Sequence, residues 1–219
     1  MKHNKGLPRA FDFFASFVGL LLLSPLYVLT GIAIKATSKG PVFFRQKRVG
    51  MGGRDFVLFK FRTMKESERG LKITSGGDPR VTRLGRMLRK TKIDELPQLW
   101  NVLIGDMALV GPRPEVREYV ELHPKLWAEI LTVRPGITDP VTLKLRNEEE
   151  LLSLAEDPSA FYAKSLSLYK VNGYLDYVRN RRAFDDLKII FRTLLGVFFP
   201  RITPPPGIED IYKGWKDGD

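Results

Sequence analysis

The feature that most constrains this chain is an uncharged apolar run at residues 15–34, ASFVGLLLLSPLYVLTGIAI, with Asp12 and Lys35 as its nearest charges. Residues 13–34 form a stretch of 22 residues, and a straight helix needs about 20 residues to span the hydrocarbon core of a bilayer. A simple crossing is therefore possible by length. Ser24 and Pro25, however, lie in the middle of the run.

The charges on both sides of the run favour a helix that enters the membrane and returns. Both flanks are basic, with Lys2, Lys5 and Arg9 before the run and Lys35, Lys39, Arg45, Lys47 and Arg48 after it. Positive residues near a membrane segment favour the cytoplasmic side, so a single crossing would export one basic flank. Pro25 has no N–H and bends a helix, and the Ser24 hydroxyl can satisfy a freed carbonyl.

We therefore predict a re-entrant helix broken at Ser24-Pro25, with Lys5 and Lys39 both facing the cytoplasm. A kinked but ordinary transmembrane helix remains the alternative. A cleaved signal peptide is disfavoured, because the basic stretch IKATSKGP follows the run and no small-residue cleavage site is visible.

The composition excludes several kinds of chemistry. The 219 residues include no cysteine, so disulfides, thiolate catalysis and cysteine metal sites are ruled out. The two histidines, His3 and His123, are far apart in sequence, and a zinc site is not expected. The formal net charge of +11 suits a polyanionic partner such as phosphorylated substrates, anionic lipid headgroups or nucleic acid.

The sequence predicts a mostly helical α+β fold in three parts. Residues 1–39 hold the membrane segment, residues 40–199 a compact domain, and residues 200–219 a proline-rich tail that we expect to be extended or mobile. Two aromatic and β-branched runs around GMGG predict a small β-hairpin. Basic residues 80–91 and the apolar pattern after Asp94 predict helices. Residues 183–199 form either an interfacial amphipathic helix or a buried core helix.

The adjacent carboxylates Asp94 and Glu95 are the strongest candidates for catalysis. The simple interpretation is that Asp94 caps the following helix, Glu95 favours the positive helix end, and Pro97 is tolerated in the first turn. The surroundings favour chemistry instead, because Arg86, Arg89, Lys90 and Lys92 precede the pair and Arg113 follows the helix. A carboxylate can accept a phosphoryl group as a nucleophile, and a neighbouring one can hold Mg²⁺.

Four further basic side chains are candidate substrate ligands. The loop GPRP stiffens Arg113 between two prolines. FKFRTM places Lys60 and Arg62 on one face of a predicted strand at a spacing of two, and VRPGIT puts Arg134 before a Pro-Gly turn. Each also has an ordinary explanation as a solvated loop, strand or turn residue. We retain Lys60, Arg62, Arg89, Arg113 and Arg134 as predicted substrate-binding residues.

On these stretches the sequence resembles the bacterial sugar transferases, specifically small monotopic phosphoglycosyl transferases that act on polyprenyl phosphate. The matching stretches are FFASFVGLLLLSPL, GPVFFRQKRVG, FKFRTM, DELPQLWNVLIGDMALVGPRP and RPGIT, with DLKIIFRTL matching more loosely. They run in family order over most of the chain.

The resemblance implies an enzyme at the cytoplasmic face of the bacterial inner membrane. Asp94 would be the nucleophile, Glu95 its Mg²⁺-binding partner, and Lys60, Arg89 and Arg113 basic active-site residues. The expected substrates are a UDP-sugar and undecaprenyl or another polyprenyl phosphate, with UMP released as surface glycan assembly begins. Membrane lipid is a further expected partner, nucleic acid is not expected, and a homodimer is left open.

One stretch departs from the family pattern. Many members continue PGIT with a Gly-x-Ala-Gln run, whereas this chain reads PGITDPVTLKLRNEEELL, which puts any transfer of sugar specificity in doubt. We also expect the chain to be the catalytic unit alone, without the additional amino-terminal membrane helices of larger relatives. A membrane-tethered nucleic-acid-binding protein or a non-catalytic scaffold is the alternative function.

Overall fold

The computed structural model describes residues 6–65, 78–198 and 205–215, and in these ranges it is mostly helical with two small sheets. The predicted α+β class is confirmed. The first elements are α1 (Arg9–Leu22), α2 (Ser24–Thr37), β1 (Phe43–Val49), β2 (Asp55–Phe61), α3 (Arg83–Lys90), α4 (Gln98–Ile104) and β3 (Ala108–Val110). Then follow α5 (Arg117–Val120), α6 (Pro124–Ile130), β4 (Gly136–Thr138), α7 (Pro140–Lys144), α8 (Glu148–Leu154), α9 (Pro158–Phe161), α10 (Ser167–Asn180), α11 (Ala183–Phe198) and α12 (Ile208–Lys213).

The apolar run forms two helices that meet at the predicted break. α1 and α2 are bent by 59° at Leu23, and the Ser24 hydroxyl donates to the Leu21 carbonyl over 2.8 Å. In the described part of the chain neither helix alone has the length and apolar composition for a membrane crossing, whereas the bent pair meets both conditions. The break is therefore confirmed, and the re-entrant insertion stays a prediction.

Polar contacts connect α1 to α4 and β3. The Arg9 guanidinium donates to the carbonyls of Val102 (2.5 Å) and Leu103 (2.7 Å) in the last turn of α4. The buried Asp12 carboxylate accepts the backbone N–H of Leu109 in β3 over 3.1 Å. The membrane segment is thus in direct contact with the compact domain.

The predicted hairpin is confirmed. β1 and β2 pair antiparallel, from Phe43 opposite Phe61 to Val49 opposite Asp55. The connecting turn at Met51–Gly53 contains two residues with positive φ, Gly52 at 69° and Gly53 at 74°. Glycine adopts this backbone region without the steric cost that a side chain brings.

A second sheet holds the loop that carries Arg113. β3 and β4 pair in parallel, with Ala108 opposite Gly136 and Val110 opposite Thr138. At the end of this pair Gly111 and Gly136 approach so closely that a Cβ on Gly136 would lie 2.1 Å from the Gly111 nitrogen. The glycines therefore permit the close backbone approach from which the GPRP loop departs.

The largest core cluster lies around α10 and includes the carboxyl-terminal helix. Its fully buried members include Val141, Leu151, Leu166, Val171 and Tyr174. In α12 the side chain of Ile211 is 2% exposed, and the nearby Trp215 ring packs edge-on against Tyr169 at 5.3 Å. The extended conformation predicted for the tail is therefore wrong for Ile208–Lys213, because this segment has an apolar side to bury.

α11 is only partly a core helix. Ile189 and Asp186 are buried, whereas Phe184, Leu187, Phe191 and Leu194 are 68%, 43%, 62% and 59% exposed. These four residues follow helical spacing and lie along one face. The fully buried alternative is wrong for that face, and an interfacial position stays a prediction.

Candidate active site

The acid pair lies on a single tight turn between α3 and α4. A 3₁₀ turn spans Ile93–Glu95, and Lys92 enters it with φ of 57°, which is uncommon for a residue other than glycine. Neither this turn nor α4 has a side-chain cap. The interpretation of Asp94 as a simple helix cap is therefore wrong.

Asp94 is a buried carboxylate with an unused oxygen. Asp94 is 7% exposed, and its Oδ1 has no hydrogen-bond partner in the described part of the chain. Burial raises the pKa of Asp94, and the adjacent Glu95 carboxylate raises it further. Such a group is costly for folding, and perturbed carboxylates of this kind are typical of functional sites.

Glu95 has the opposite environment. Its Oε1 accepts from Lys60 Nζ over 2.9 Å and from Arg113 Nη2, and its Oε2 accepts from Arg113 Nη1 over 3.2 Å. Burial alone would raise the pKa of Glu95, but the charges of Arg113 and Lys60 outweigh burial and hold it well below the usual range. The two adjacent carboxyl groups thus differ sharply, which is how paired acids acquire separate roles.

Arg89 adds positive charge beside the pair. Its Nε donates to Thr63 Oγ1 over 3.0 Å, and its Nη1 donates to Glu149 Oε1 in α8 over 2.8 Å. The charges of Lys60, Lys92 and Arg89 all act to lower the pKa of Asp94, against the larger effect of burial. The predicted residues Lys60, Arg89 and Arg113 are therefore grouped around the acid pair.

Arg62 lies apart from this group. β2 ends at Phe61, and the Arg62 Nη2 donates to the carbonyl (2.9 Å) and hydroxyl (2.8 Å) of Ser38, just after α2. The residue is 7% exposed, and its Nε and Nη1 have no hydrogen-bond partner in the described chain. Arg62 lies one residue beyond β2, and Lys60 and Arg62 have different hydrogen-bond partners. Two unused donors on a buried guanidinium still suit an anionic ligand.

Arg134 is linked to a helix end instead of the acid pair. Its Nε donates to the Gly105 carbonyl over 3.0 Å, where α4 terminates at a residue with φ of 97°. An arginine at this place satisfies a terminal helix carbonyl. A substrate-binding role for Arg134 stays a prediction, since its described hydrogen bond is structural.

The sequence did not identify a second buried cluster next to the GPRP loop. Glu115, the residue after GPRP, accepts from Arg48, Tyr162 and Lys170. Lys170 also contacts Glu148, which lies in the variant stretch that replaces the family's Gly-x-Ala-Gln run. Glu115 directly follows the GPRP motif in the sequence, but nothing in the local pattern indicates partners in α10.

The oxygen atoms at the site fit a metal that is shared with a substrate. The described chain holds no group of three or more His, Cys, Asp or Glu side chains placed for a metal ion. Asp94 Oδ1 is unused, and Glu95 Oε2 accepts one bond of 3.2 Å. Mg²⁺ is commonly held by one or two carboxylates together with phosphate oxygens and water, which this pair of oxygens permits.

Comparison with known proteins decides the family. The family model described as bacterial sugar transferase matches residues 3–200. The chain belongs to the bacterial sugar transferase family. This membership confirms the resemblance inferred from the acid pair and its neighbouring motifs.

Several curated bacterial proteins are similar to the chain. A UDP-N-acetylgalactosamine-undecaprenyl-phosphate N-acetylgalactosaminephosphotransferase from Aeromonas hydrophila is 45% identical over 139 residues, which cover 60% of this chain and 32% of that protein. A UDP-glucose:undecaprenyl-phosphate glucose-1-phosphate transferase from Escherichia coli K12 is 37% identical over 89% of this chain and 41% of its own length. Exopolysaccharide production protein ExoY from Rhizobium meliloti is 35% identical over 88% of this chain and 86% of its own length.

The chain thus spans less than half of the length of the first two relatives. The names of these two relatives specify different sugars, N-acetylgalactosamine and glucose.

Proposed function

We propose that this chain transfers a sugar 1-phosphate from a UDP-sugar to polyprenyl phosphate, with undecaprenyl phosphate as the natural acceptor. One observation carries the proposal: Asp94 has a buried, unpartnered oxygen beside the ion-paired Glu95. The names of the relatives supply the substrate classes. The reaction would be a first membrane step in assembling a surface glycan.

The transfer has two half-reactions. An Asp94 carboxylate oxygen attacks the phosphorus that bears the sugar, and the bond from that phosphorus to the bridging oxygen breaks. The bond's electron pair leaves with UMP, and the enzyme carries an acyl-phosphate sugar. A phosphate oxygen of polyprenyl phosphate then attacks the same phosphorus, the bond to Asp94 breaks, and the carboxylate is restored. No net proton transfer is needed.

The basic side chains bind and orient the phosphates. Arg113 presents a planar fork that is already ordered by Glu95, and Lys60 contributes a second charge on the same carboxylate. A preorganised cationic frame stabilises the negative charge of the transferring phosphoryl group. Arg62, with its two unused donors, is a further phosphate ligand in this proposal.

We propose Mg²⁺ as the cofactor, held by Asp94 and Glu95 oxygens together with the diphosphate of the substrate. The hard carboxylate oxygens match the ligand preference of this ion. When bound, the ion would neutralise diphosphate charge. The support is the unused Asp94 Oδ1 and the partly used Glu95 Oε2.

The acceptor would approach along α2. An open apolar surface lies beside that helix, lined in part by Tyr27, Val28, Ile32, Lys35 and Phe43. The Tyr27 hydroxyl donates to the Leu96 carbonyl over 2.5 Å, two residues after Asp94. Tyr27 therefore links a surface suited to a prenyl chain to the turn that carries the nucleophile, and Lys35 suits a phosphate headgroup.

The protein would be monotopic at the cytoplasmic face of the bacterial inner membrane. Large apolar side chains are exposed on both helices of the bent pair, including Phe14, Leu21, Leu22, Val28 and Leu29. Exposed apolar surface of this extent is unusual in a soluble monomer and is typical of interaction with lipid. The exposed face of α11 would lie in the same interface.

We expect a cysteine at position 5 and a cysteine at position 39 both to be protected from a membrane-impermeant reagent in intact cells. The chain has no native cysteine, so each single variant carries one label, and permeabilised cells provide the labelling control. External labelling at one position alone would contradict re-entrance. Replacing Pro25 with alanine should raise the fraction of molecules whose helix crosses the membrane, because the residue that bends the helix is removed.

We expect Arg113→Ala to lower turnover by about ten- to a hundredfold, since a hydrogen bond to a charged group contributes about 1.5–3 kcal/mol. Arg113→Lys should also be impaired, because an ammonium cannot reproduce the planar fork. Steady-state UMP release measures both. The matched control is Arg179→Ala, which removes an exposed pair with Glu129 and should keep full turnover. Near-normal turnover of Arg113→Ala would make GPRP a structural loop only.

The proposed activity is tested by incubating the purified protein in lipid nanodiscs with a panel of UDP-sugars, polyprenyl phosphate and Mg²⁺. UMP release that requires the lipid acceptor for multiple turnovers is the expected result. No UMP from any UDP-sugar, together with salt-sensitive retardation of nucleic acid, would favour the tethered nucleic-acid-binding alternative. Neither activity would favour a scaffold.

A further inference from the structure

We propose that Glu115, together with Arg48, Tyr162 and Lys170, forms a positioning network that sets the placement of the Arg113 fork. The inference rests on the proposed function, in which Arg113 binds the phosphate that is transferred. None of the four residues has a described hydrogen bond to Asp94 or Glu95, so they would act through Arg113 and are not catalytic residues.

The loop at residues 111–115 is fixed at its first end by backbone bonds. The Gly111 N–H donates to the Thr138 carbonyl over 3.0 Å, and the Gly136 N–H donates to the Pro112 carbonyl over 3.0 Å. These bonds continue the pairing of β3 with β4. They place Pro112, immediately before Arg113, against the second sheet.

The other end of the loop is held by β1. The Val49 N–H donates to the Glu115 carbonyl over 2.9 Å, and Arg48 Nη1 donates to the Pro114 carbonyl over 3.1 Å. The same Arg48 nitrogen donates to Glu115 Oε2 over 3.1 Å. Arg48 therefore holds both the backbone and the side chain that directly follow Arg113.

The Glu115 carboxylate collects the remaining contacts. Its Oε1 accepts from the Tyr162 hydroxyl over 2.5 Å and from Lys170 Nζ over 2.9 Å. Glu115 and Lys170 are 6% and 4% exposed, so removal of either partner would leave an uncompensated buried charge. Although burial opposes ionisation, Lys170 and Arg48 lower the pKa of Glu115 to about 2. The carboxylate is therefore ionised throughout the neutral range.

The arrangement suits orientation of Arg113. Three separate parts of the chain converge on one carboxylate: β1, the helical turn at Tyr162–Leu166 and α10. That carboxylate lies two residues from the guanidinium that binds Glu95. A displacement of about 1 Å at a substrate-orienting group can cost about a hundredfold in rate. Rigid anchoring of both loop ends would prevent such a displacement.

A double-mutant cycle between Tyr162→Phe and Arg113→Lys tests the inference. Tyr162→Phe removes the hydroxyl that donates to Glu115 and accepts from Lys170 Nζ over 3.1 Å, and it keeps the ion pairs of Glu115 with Arg48 and Lys170. In the wild-type background we expect kcat for UMP release to fall about five- to tenfold, a part of the full misplacement effect. In the Arg113→Lys background the same change should cost less than about twofold, because residues that act through one another are not additive.

The matched control is Tyr177→Phe. It removes another buried bond from a tyrosine to a carboxylate, the 2.7 Å contact with Asp186, which belongs to a different part of the core. Both tyrosine variants should lose thermal stability, but only Tyr162→Phe should lose kcat. Equal fold losses for Tyr162→Phe in the two Arg113 backgrounds would overturn the inference, and so would an unchanged kcat in the wild-type background.

A second variant, Arg48→Lys, tests the inference even if Tyr162→Phe does not fold. Arg48→Lys retains a charge near Glu115 but cannot reproduce the contacts of a guanidinium with Pro114 and Gln46. It should lower kcat more than it changes KM, and the loss should again shrink in the Arg113→Lys background. If wild-type protein releases no UMP, the proposed function fails, whereas additive losses in an active enzyme refute only the positioning network.

Discussion

Asp94→Asn is expected to abolish turnover, with UMP release reduced by about four orders of magnitude or more, the scale on which enzymes lose activity when a covalent nucleophile is removed. Asparagine preserves the size of the side chain but offers no anionic oxygen for attack on phosphorus. Single-turnover UMP release, measured with excess enzyme, isolates the first half-reaction. Residual turnover within tenfold of wild type would show that Asp94 is not the nucleophile.

The same variant should fold at least as stably as wild type. A carboxyl group whose pKa is raised in the folded protein contributes stability below its unfolded pKa and loses that contribution as pH rises through the folded pKa. Wild-type protein therefore loses stability at Asp94 as pH rises, whereas the neutral amide of Asp94→Asn avoids this loss. Urea unfolding at pH 5 and pH 8 should show the larger gain at pH 8. Asp157→Asn, at the N-cap of α9, is the control and should change little.

Glu95→Gln is expected to impair both activity and folding. The substitution removes the anion shared by Lys60 and Arg113 and leaves two cations whose side chains are only 21% and 24% exposed. Breaking a buried ion pair costs up to about 3–5 kcal/mol, and turnover should fall severely because the Arg113 fork and the metal site are both disturbed. The matched control is Glu129→Gln, which breaks an exposed pair with Arg179 and should cost little.

The pH dependence of the Glu95 effect has a defined sign. A carboxyl group with a lowered pKa contributes stability that is present above its unfolded pKa and is lost as pH falls toward the folded pKa. Urea unfolding should therefore show a larger stability difference between wild type and Glu95→Gln at pH 7 than at pH 3. A difference that grows toward acid would contradict the ion-paired state of Glu95.

Local features of the structure could be predicted from the sequence. The break at Ser24-Pro25 follows from a missing N–H at Pro25, and the β1–β2 hairpin follows from two aromatic runs around glycines. These features depend on neighbouring residues. The helix α12 could not be predicted, because it lies in a proline-rich stretch. The burial of Ile211 and Trp215 depends on partners in the core that are distant in sequence.

The site was predictable to the extent that its residues lie in compact motifs. Asp94 and Glu95 are adjacent in sequence, and their pKa values shift in opposite directions because both are buried but the cations Lys60 and Arg113 fold against Glu95. The partners of Arg62 could not be foreseen, because β2 ends one residue earlier than strand alternation assumes. Glu115 and Lys170 are 55 positions apart, and no local pattern encodes that contact.

The central claim is that Asp94 carries the sugar phosphate between the two substrates. The most direct measurement is intact-protein mass spectrometry of wild-type protein incubated with a UDP-sugar and Mg²⁺ in the absence of polyprenyl phosphate. The account predicts an added mass of one sugar phosphate, mapped to Asp94, absent from Asp94→Asn and discharged when polyprenyl phosphate is supplied. Transfer to polyprenyl phosphate by wild-type protein with no adduct at any time point, or an adduct that persists in Asp94→Asn, would contradict it.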